Sequence, residues 1–220
     1  MSAKADTPAD TFKGGRSFGL PGPAAAAAPA AGGSLVTSQL MDRPLLNTYW
    51  VIPGRLLAGE YPGDPDDSQA RQRLERLSGA GIDSFIDLTE EGELPPYRLL
   101  LPKHTQYLRS PIVDTRVPNN VAQTQQLLDA IRAALAGERR VYVHGRAGIG
   151  RTGLVIGCFL AEEESSGRTA LKTLNRLWRQ SERSAAWPEV PQTAEQAAYV
   201  RGWPGLAKRT LELAASSQVR

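Results

Sequence analysis

Residues Val141 to Gly153 read VYVHGRAGIGRTG: a β-branched and aromatic run, a glycine-rich turn, then Arg151, Thr152 and an apolar stretch. The run predicts a buried strand, and the stretch from Thr152 to Glu163 predicts a helix. A strand, turn and helix start in this order aim successive backbone N–H groups at one point. The positive end of the helix dipole faces the same point. The passage therefore predicts an anion cradle built from Arg146, Ala147, Gly148, Ile149, Gly150 and Arg151. Gly148 and Gly150 permit the close backbone approach that side chains would block. Arg151 carries a planar guanidinium able to clamp two oxygens of a bound anion. The chemistry expected here is recognition of a phosphate.

Two families use a loop of this kind. Gly145 to Thr152 departs by one residue from the GxxxxGK[ST] pattern of the P-loop nucleotide-binding proteins. Arg151 replaces the lysine that reaches the terminal phosphates, and no acidic residue at a strand end looks like a magnesium ligand. The passage more closely resembles the HCxxGxxRTG signature of the cysteine-dependent tyrosine and dual-specificity phosphatases. His144, Gly148, Arg151, Thr152 and Gly153 match it in register, and Gly145 stands where the nucleophilic cysteine would be. Two further segments support the resemblance. Pro111-Ile112-Val113-Asp114 is similar to the family's mobile acid loop, which makes Asp114 the candidate general acid. Gln192-Thr193-Ala194-Glu195-Gln196 is similar to its QTxxQ segment, whose glutamines position the hydrolytic water. The stretches IPGRLLAGE, ending at Glu60, and DLTEEGE, ending at Glu93, look like small bacterial dual-specificity phosphatases. The resemblance covers residues 47 to 204.

The family mechanism needs a thiolate that attacks phosphorus and forms a phosphocysteine. Glycine supplies none. Cys158 is expected in the core, two helical turns or more past the loop. The chain is thus expected to bind phosphate monoesters, on phosphoproteins above all, without turning them over. A phospho-dependent binding or competitor module, in effect a natural pseudophosphatase, fits the same residues, and so does an inactivated enzyme. A nucleotide-binding protein is the third reading. Taken singly, Asp114 is also a plain turn residue ahead of Val117-Pro118. Gln192 and Gln196 also fit a helix start capped by Thr193. Arg146 fits both substrate contact and simple solvation. His144 is read as a structural histidine that organises the loop.

The elements that must position these residues alternate. Strands are expected at Tyr49 to Ile52, Leu56 to Ala58, Ser84 to Leu88, within Thr105 to Ile112, and at Arg140 to Val143. Helices are expected at Ser68 to Ser78, Val121 to Leu135, Thr152 to Glu163, Thr169 to Gln180 and Thr193 to Arg201. Such alternation implies an α/β fold with a central, largely parallel sheet flanked by helices. Residues 1–42, rich in Ala, Pro and Gly, read as a disordered tail. The phosphatase-like domain is placed at 43–207, with a helix end or tail over 208–220. Trp50, Trp178, Trp187 and Trp203 are expected in packing, and Glu162 to Glu164 at a solvated helix end.

Bulk composition excludes other classes. With 26 basic and 23 acidic side chains the net charge is +3, and no basic run points to nucleic acid. Two histidines and one cysteine leave no metal-ligand cluster, and no cofactor is expected. No segment reads as a leader or a membrane span. The chain is expected to be a cytoplasmic monomer whose partner is a phosphorylated protein or another phosphate monoester, without nucleic-acid or membrane partners.

Overall fold

The structure is a computed structural model that describes residues 42–217, with the backbone alone from residue 209. The tail expected over 1–42 lies almost wholly outside the described residues. Five strands form one sheet: β1 (Thr48–Ile52), β2 (Leu56–Gly59), β3 (Ser84–Asp87), β4 (Gln106–Arg109) and β5 (Val141–His144). Five helices follow the expected positions: α1 (Asp67–Gly79), α2 (Val121–Ala136), α3 (Gly150–Glu163), α4 (Gly167–Trp178) and α5 (Ala194–Ser217). Short 3₁₀ turns at Arg98–Leu100 and Glu182–Ala185 had no periodic signal to announce them. Helix α5 runs well past the expected Arg201 and carries Pro204 inside it.

Strand order is β1-β2-β5-β3-β4, with β1 antiparallel to β2 and the other pairs parallel. Side chains alternate across the sheet as the two-residue period demands. Leu56, Ala58, Ile86, Val141 and Val143 enter the core beneath α2 to α5. Leu57, Phe85 and Tyr142 enter a second core that Leu74 and Leu77 of α1 cover. The crossover from β2 to β3 steps over β5 in one direction, and that from β4 to β5 steps over β3 in the other. Right-handed crossovers must then lie on opposite faces, which is where α1 and α2 sit. Strand β5 is flanked by both chain directions of travel. Its carboxyl end opens at the switch point where open α/β sheets form their ligand crevices.

Helix α3 leaves that end and is buried from Gly150 to Ala161, because the sheet, α2, α4 and α5 enclose it. Glycines make this possible. A Cβ on Gly157 would lie 2.8 Å from Val200, and one on Gly167 would lie 2.3 Å from the Val200 carbonyl oxygen. Cys158 is wholly buried here, and burial pushes its thiol well above its ordinary range. Glu162 departs from the expected solvated end: it pairs with Arg132 and accepts the Trp203 indole N–H at 2.8 Å.

Candidate phosphate-binding site

Residues 145–152 form a pocket of about 270 Å³ at the end of β5, lined also by Asp114, Arg183, Trp187 and Gln192. The loop is held from below. Gly148 has φ +77°, and a Cβ there would sit 2.7 Å from the carbonyl carbon of Gly59, so no other residue fits. Tyr61 N–H donates to the Arg146 carbonyl at 3.0 Å, and Arg183 donates to the Ala147 carbonyl at 2.6 Å. These contacts tie two of the loop's carbonyls. Among the described residues, no backbone acceptor takes a hydrogen bond from the N–H of residues 146–149. Asp66, Asn120 and Ser166 cap α1, α2 and α4 with their side chains, whereas α3 starts with no side-chain cap. The donors of its first turn are thus left without a side-chain partner.

Gly145 differs from Gly148. Its backbone lies outside the left-handed region, and a Cβ would meet Thr152 Oγ1 at 3.3 Å and Arg151 Cβ at 3.4 Å. A side chain there needs only a small adjustment. Its N–H donates to Thr152 Oγ1 at 2.7 Å, which places that hydroxyl beside the vacant side-chain direction.

Arg151 is 2 % exposed, so its charge must be paired. Glu93 holds it bidentately at 2.6 and 2.7 Å, and Nη1 also donates to the Ile112 carbonyl at 3.2 Å. Burial works against the cation, but these contacts with Glu93 outweigh it and hold the guanidinium charged. The Glu93 carboxyl is in turn drawn below its usual range, chiefly by its hydrogen bonds to Arg151. The Nε edge of Arg151 alone stays clear, 3.7 Å from a Cβ at 145, and Asp114 Oδ1 sits on Nη2 at 3.2 Å.

His144 is wholly buried, and burial lowers its pKa to about 4. It is neutral at pH 7. Tyr97, whose hydroxyl burial keeps protonated, meets Nε2 at 2.6 Å. Nδ1 then carries the proton and donates to the Gly145 carbonyl at 3.3 Å. Asp87 lies 3.9 Å from Nδ1, but its partner in charge is Arg109 at 3.1 Å, since His144 is neutral. Burial alone would raise the Asp87 carboxyl. Hydrogen bonds from Thr89 and Tyr107 contribute to the opposite outcome, a lowered pKa.

The structure brings Asp114, Arg146, Arg151, Thr152 and Gln192 to one pocket. Gln196 does not line it. That side chain is buried, with its amide donating to the Arg116 carbonyl at 3.0 Å and its oxygen accepting from Thr193 N–H at 3.2 Å. It ties the start of α5 to the loop that carries Asp114, where Thr115 has φ +64°. Trp187 corrects another expectation: it is 45 % exposed and lines the pocket instead of packing inside. Sequence reasoning missed Glu93, Tyr97 and Arg183. Glu93 was one of several carboxylates in DLTEEGE, and no spacing rule marked it out. Tyr97 and Arg183 lie in irregular segments far along the chain from the loop.

Residues 46–196 match the family model described as "PTP-SAK: Swiss Army Knife protein, DSP-PTPase phosphatase domain". This chain belongs to the dual-specificity and tyrosine phosphatase family. Among curated relatives it is 38% identical over 115 residues to protein 067L of Invertebrate iridescent virus 3, a candidate tyrosine phosphatase. That match takes in 50% of this chain and 44% of the viral protein. Protein 197R of Invertebrate iridescent virus 6, also a candidate tyrosine phosphatase, is 26% identical over 139 residues, covering 61% of this chain and 49% of its own. The chain thus spans about half the length of these relatives or less. Solved phosphatases share the fold. Tk-PTP in its active form superposes with a TM-score of 0.59 at 24% identity, over 72% of this chain and 97% of that one. Kinase associated phosphatase, with its catalytic cysteine replaced by serine, gives 0.56 at 23% identity, over 67% and 84%. Family membership and fold leave the nucleotide-binding reading without support.

Proposed function

We propose that this chain binds phosphate monoesters, carried on proteins, in the 145–152 cradle, and that with glycine at 145 it does not hydrolyse them. The observation that carries the reading is the cluster of unpaired N–H donors at residues 146–149 beside the clear Nε edge of buried Arg151. Phosphate oxygens would accept from those N–H groups. A further pair would accept from Nε and Nη2 of Arg151 once Asp114 swings away from Nη2. Glu93 keeps the guanidinium plane fixed for that contact.

Hydrolysis in this family begins with in-line attack by a thiolate, and residue 145 has no atom to attack with. Cys158 is sealed in the core as a thiol. Loss of the thiolate favours binding. Two anions about 4 Å apart repel by about 1 kcal/mol in water and by more where solvent is excluded.

Calorimetry with tungstate, phosphate and a phosphotyrosine peptide tests this. Binding is expected for the chain as given, with the anion seated on the N–H groups of 146–151 in a soaked crystal. Hydrolysis of p-nitrophenyl phosphate is expected to be no faster than for Arg151→Ala. No anion in the loop at millimolar ligand, or turnover that depends on Arg151, would overturn the reading.

A further inference from the structure

Outside the pocket, the exposed face of α4 carries Arg168, Lys172 and Arg176, and Arg179 follows as its helical C-cap. At about 100° per residue these four side chains fall within an arc of about 80°, along about 16 Å of helix. Arg43 stands beside them on one side and Arg201 of α5 on the other, each lining a groove shared with Arg176 and Arg179. None of the six pairs with a carboxylate among the described residues. Some partly buried arginines elsewhere do find partners: Arg73 and Arg183 share Glu60, and Arg139 meets Asp83. A row of unpaired like charges repels itself, so it is kept only at a cost that an anionic partner would relieve.

The groove between α4 and α5 has a volume of about 440 Å³ and is floored by Leu171, Val190 and Pro191. It adjoins the phosphate site. Glu189, Val190 and Pro191 line the groove, while Trp187 and Gln192 of the same segment line the pocket. Asn175 of α4 clamps this shared wall by donating to the Val190 carbonyl at 2.9 Å and accepting its N–H at 2.8 Å.

We propose that this groove docks an acidic segment of the same protein whose phosphate monoester enters the cradle. The proposal rests on the phosphate-binding reading and names its substrate class: a phosphoprotein with glutamate or aspartate flanking the phosphorylated residue. Spacing fits an extended peptide. Cations four residues apart on a helix rise by about 6 Å, and alternate side chains of an extended strand are about 6.6 Å apart. Nucleic acid fits less well, because no aromatic side chain lines either groove for bases to stack on.

Fluorescence anisotropy on the full chain tests the proposal with three peptides: a phosphotyrosine peptide flanked by glutamates, the same peptide with glutamines, and the glutamate peptide without phosphate. The glutamate phosphopeptide is expected to bind about tenfold more tightly than the glutamine one at low salt, the effect of a few exposed ion pairs. That advantage should shrink as salt is added. Lys172→Glu with Arg176→Glu should abolish the advantage and leave tungstate binding unchanged. Equal affinity for the two phosphopeptides, or an advantage that ignores salt and survives the double variant, would overturn it. So would an oligothymidylate or a phosphatidylserine vesicle that binds through Lys172 and Arg176 more tightly than the peptide. If glutamate still helps but phosphate does not, docking stands and the phosphate-binding reading falls.

Discussion

A side chain at 145 would arrive among groups already arranged for it. Thr152 Oγ1 lies 3.3 Å from a Cβ built there, and the Arg151 Nε lies at 3.7 Å. Helix-start donors and a buried guanidinium stabilise negative charge, so a cysteine thiol placed here should ionise readily. Gly145→Cys is therefore expected to hydrolyse p-nitrophenyl phosphate where the chain as given does not, read as the absorbance of released p-nitrophenolate at saturating substrate. In that background Asp114→Asn should lower kcat by about 10²–10⁴-fold on an alkyl phosphate, and by less on an aryl phosphate, whose leaving group needs less protonation. Activity indifferent to Asp114 would remove it from the acid role. The two pocket arginines should differ as well. Arg151 is buried and doubly held by Glu93, whereas Arg146 is exposed. Arg151→Ala should weaken tungstate binding by about 1.5–3 kcal/mol, and Arg146→Ala by no more than about 1 kcal/mol; calorimetry reads both.

At the scale of elements, the turn between β5 and α3 depends on one glycine for its shape and another for its chemistry. Gly148 adopts φ +77° against the backbone of Gly59 and Glu60. Gly148→Ala should cost about 1–3 kcal/mol in denaturant stability, the scale of local backbone strain, and should abolish anion binding. Gly145→Ala should leave stability near that of the parent, since its backbone is ordinary and the nearest contacts exceed 3 Å. Equal losses at the two positions would show that the loop itself needs glycine at 145. The loop between β4 and α2 that carries Asp114 is fastened from a distance: Gln196 of α5 holds the Arg116 carbonyl, and Gln123 of α2 holds the Pro111 carbonyl at 2.8 Å. Gln196→Ala should therefore loosen Asp114, seen as faster hydrogen exchange at residues 113–117.

Across the whole molecule, buried charge couples the site to folding. The His144 pKa falls from an ordinary 6.5 to about 4, so the unfolded chain takes up a proton between these values that the native state refuses. Stability conferred by the neutral ring is whole above about pH 6.5 and declines toward pH 4, by up to about 1.4 kcal/mol per pH unit. Asp87 and Glu93, both with lowered pKa values, add to the loss at still lower pH. Urea midpoints measured across this range should fall with acid, and His144→Asn should flatten the part between pH 6.5 and 4. The sequence by itself determined much of this protein. Short apolar runs marked the strands, and apolar residues at helical spacing marked the helices, because both signals are local properties of the chain. The strand, turn and helix start from Val141 to Glu163 were legible for the same reason, being one contiguous stretch of chain. Only the tertiary structure decided which carboxylate neutralises Arg151, that Gln196 braces a loop eighty residues away in the chain, that Trp187 faces the pocket, and that Arg43 and Arg201 extend the basic row of α4. Those pairings join segments with no common period. Each depends on where long crossovers and irregular loops return to the sheet, and that is settled by packing of the whole core, not by any stretch of residues within it.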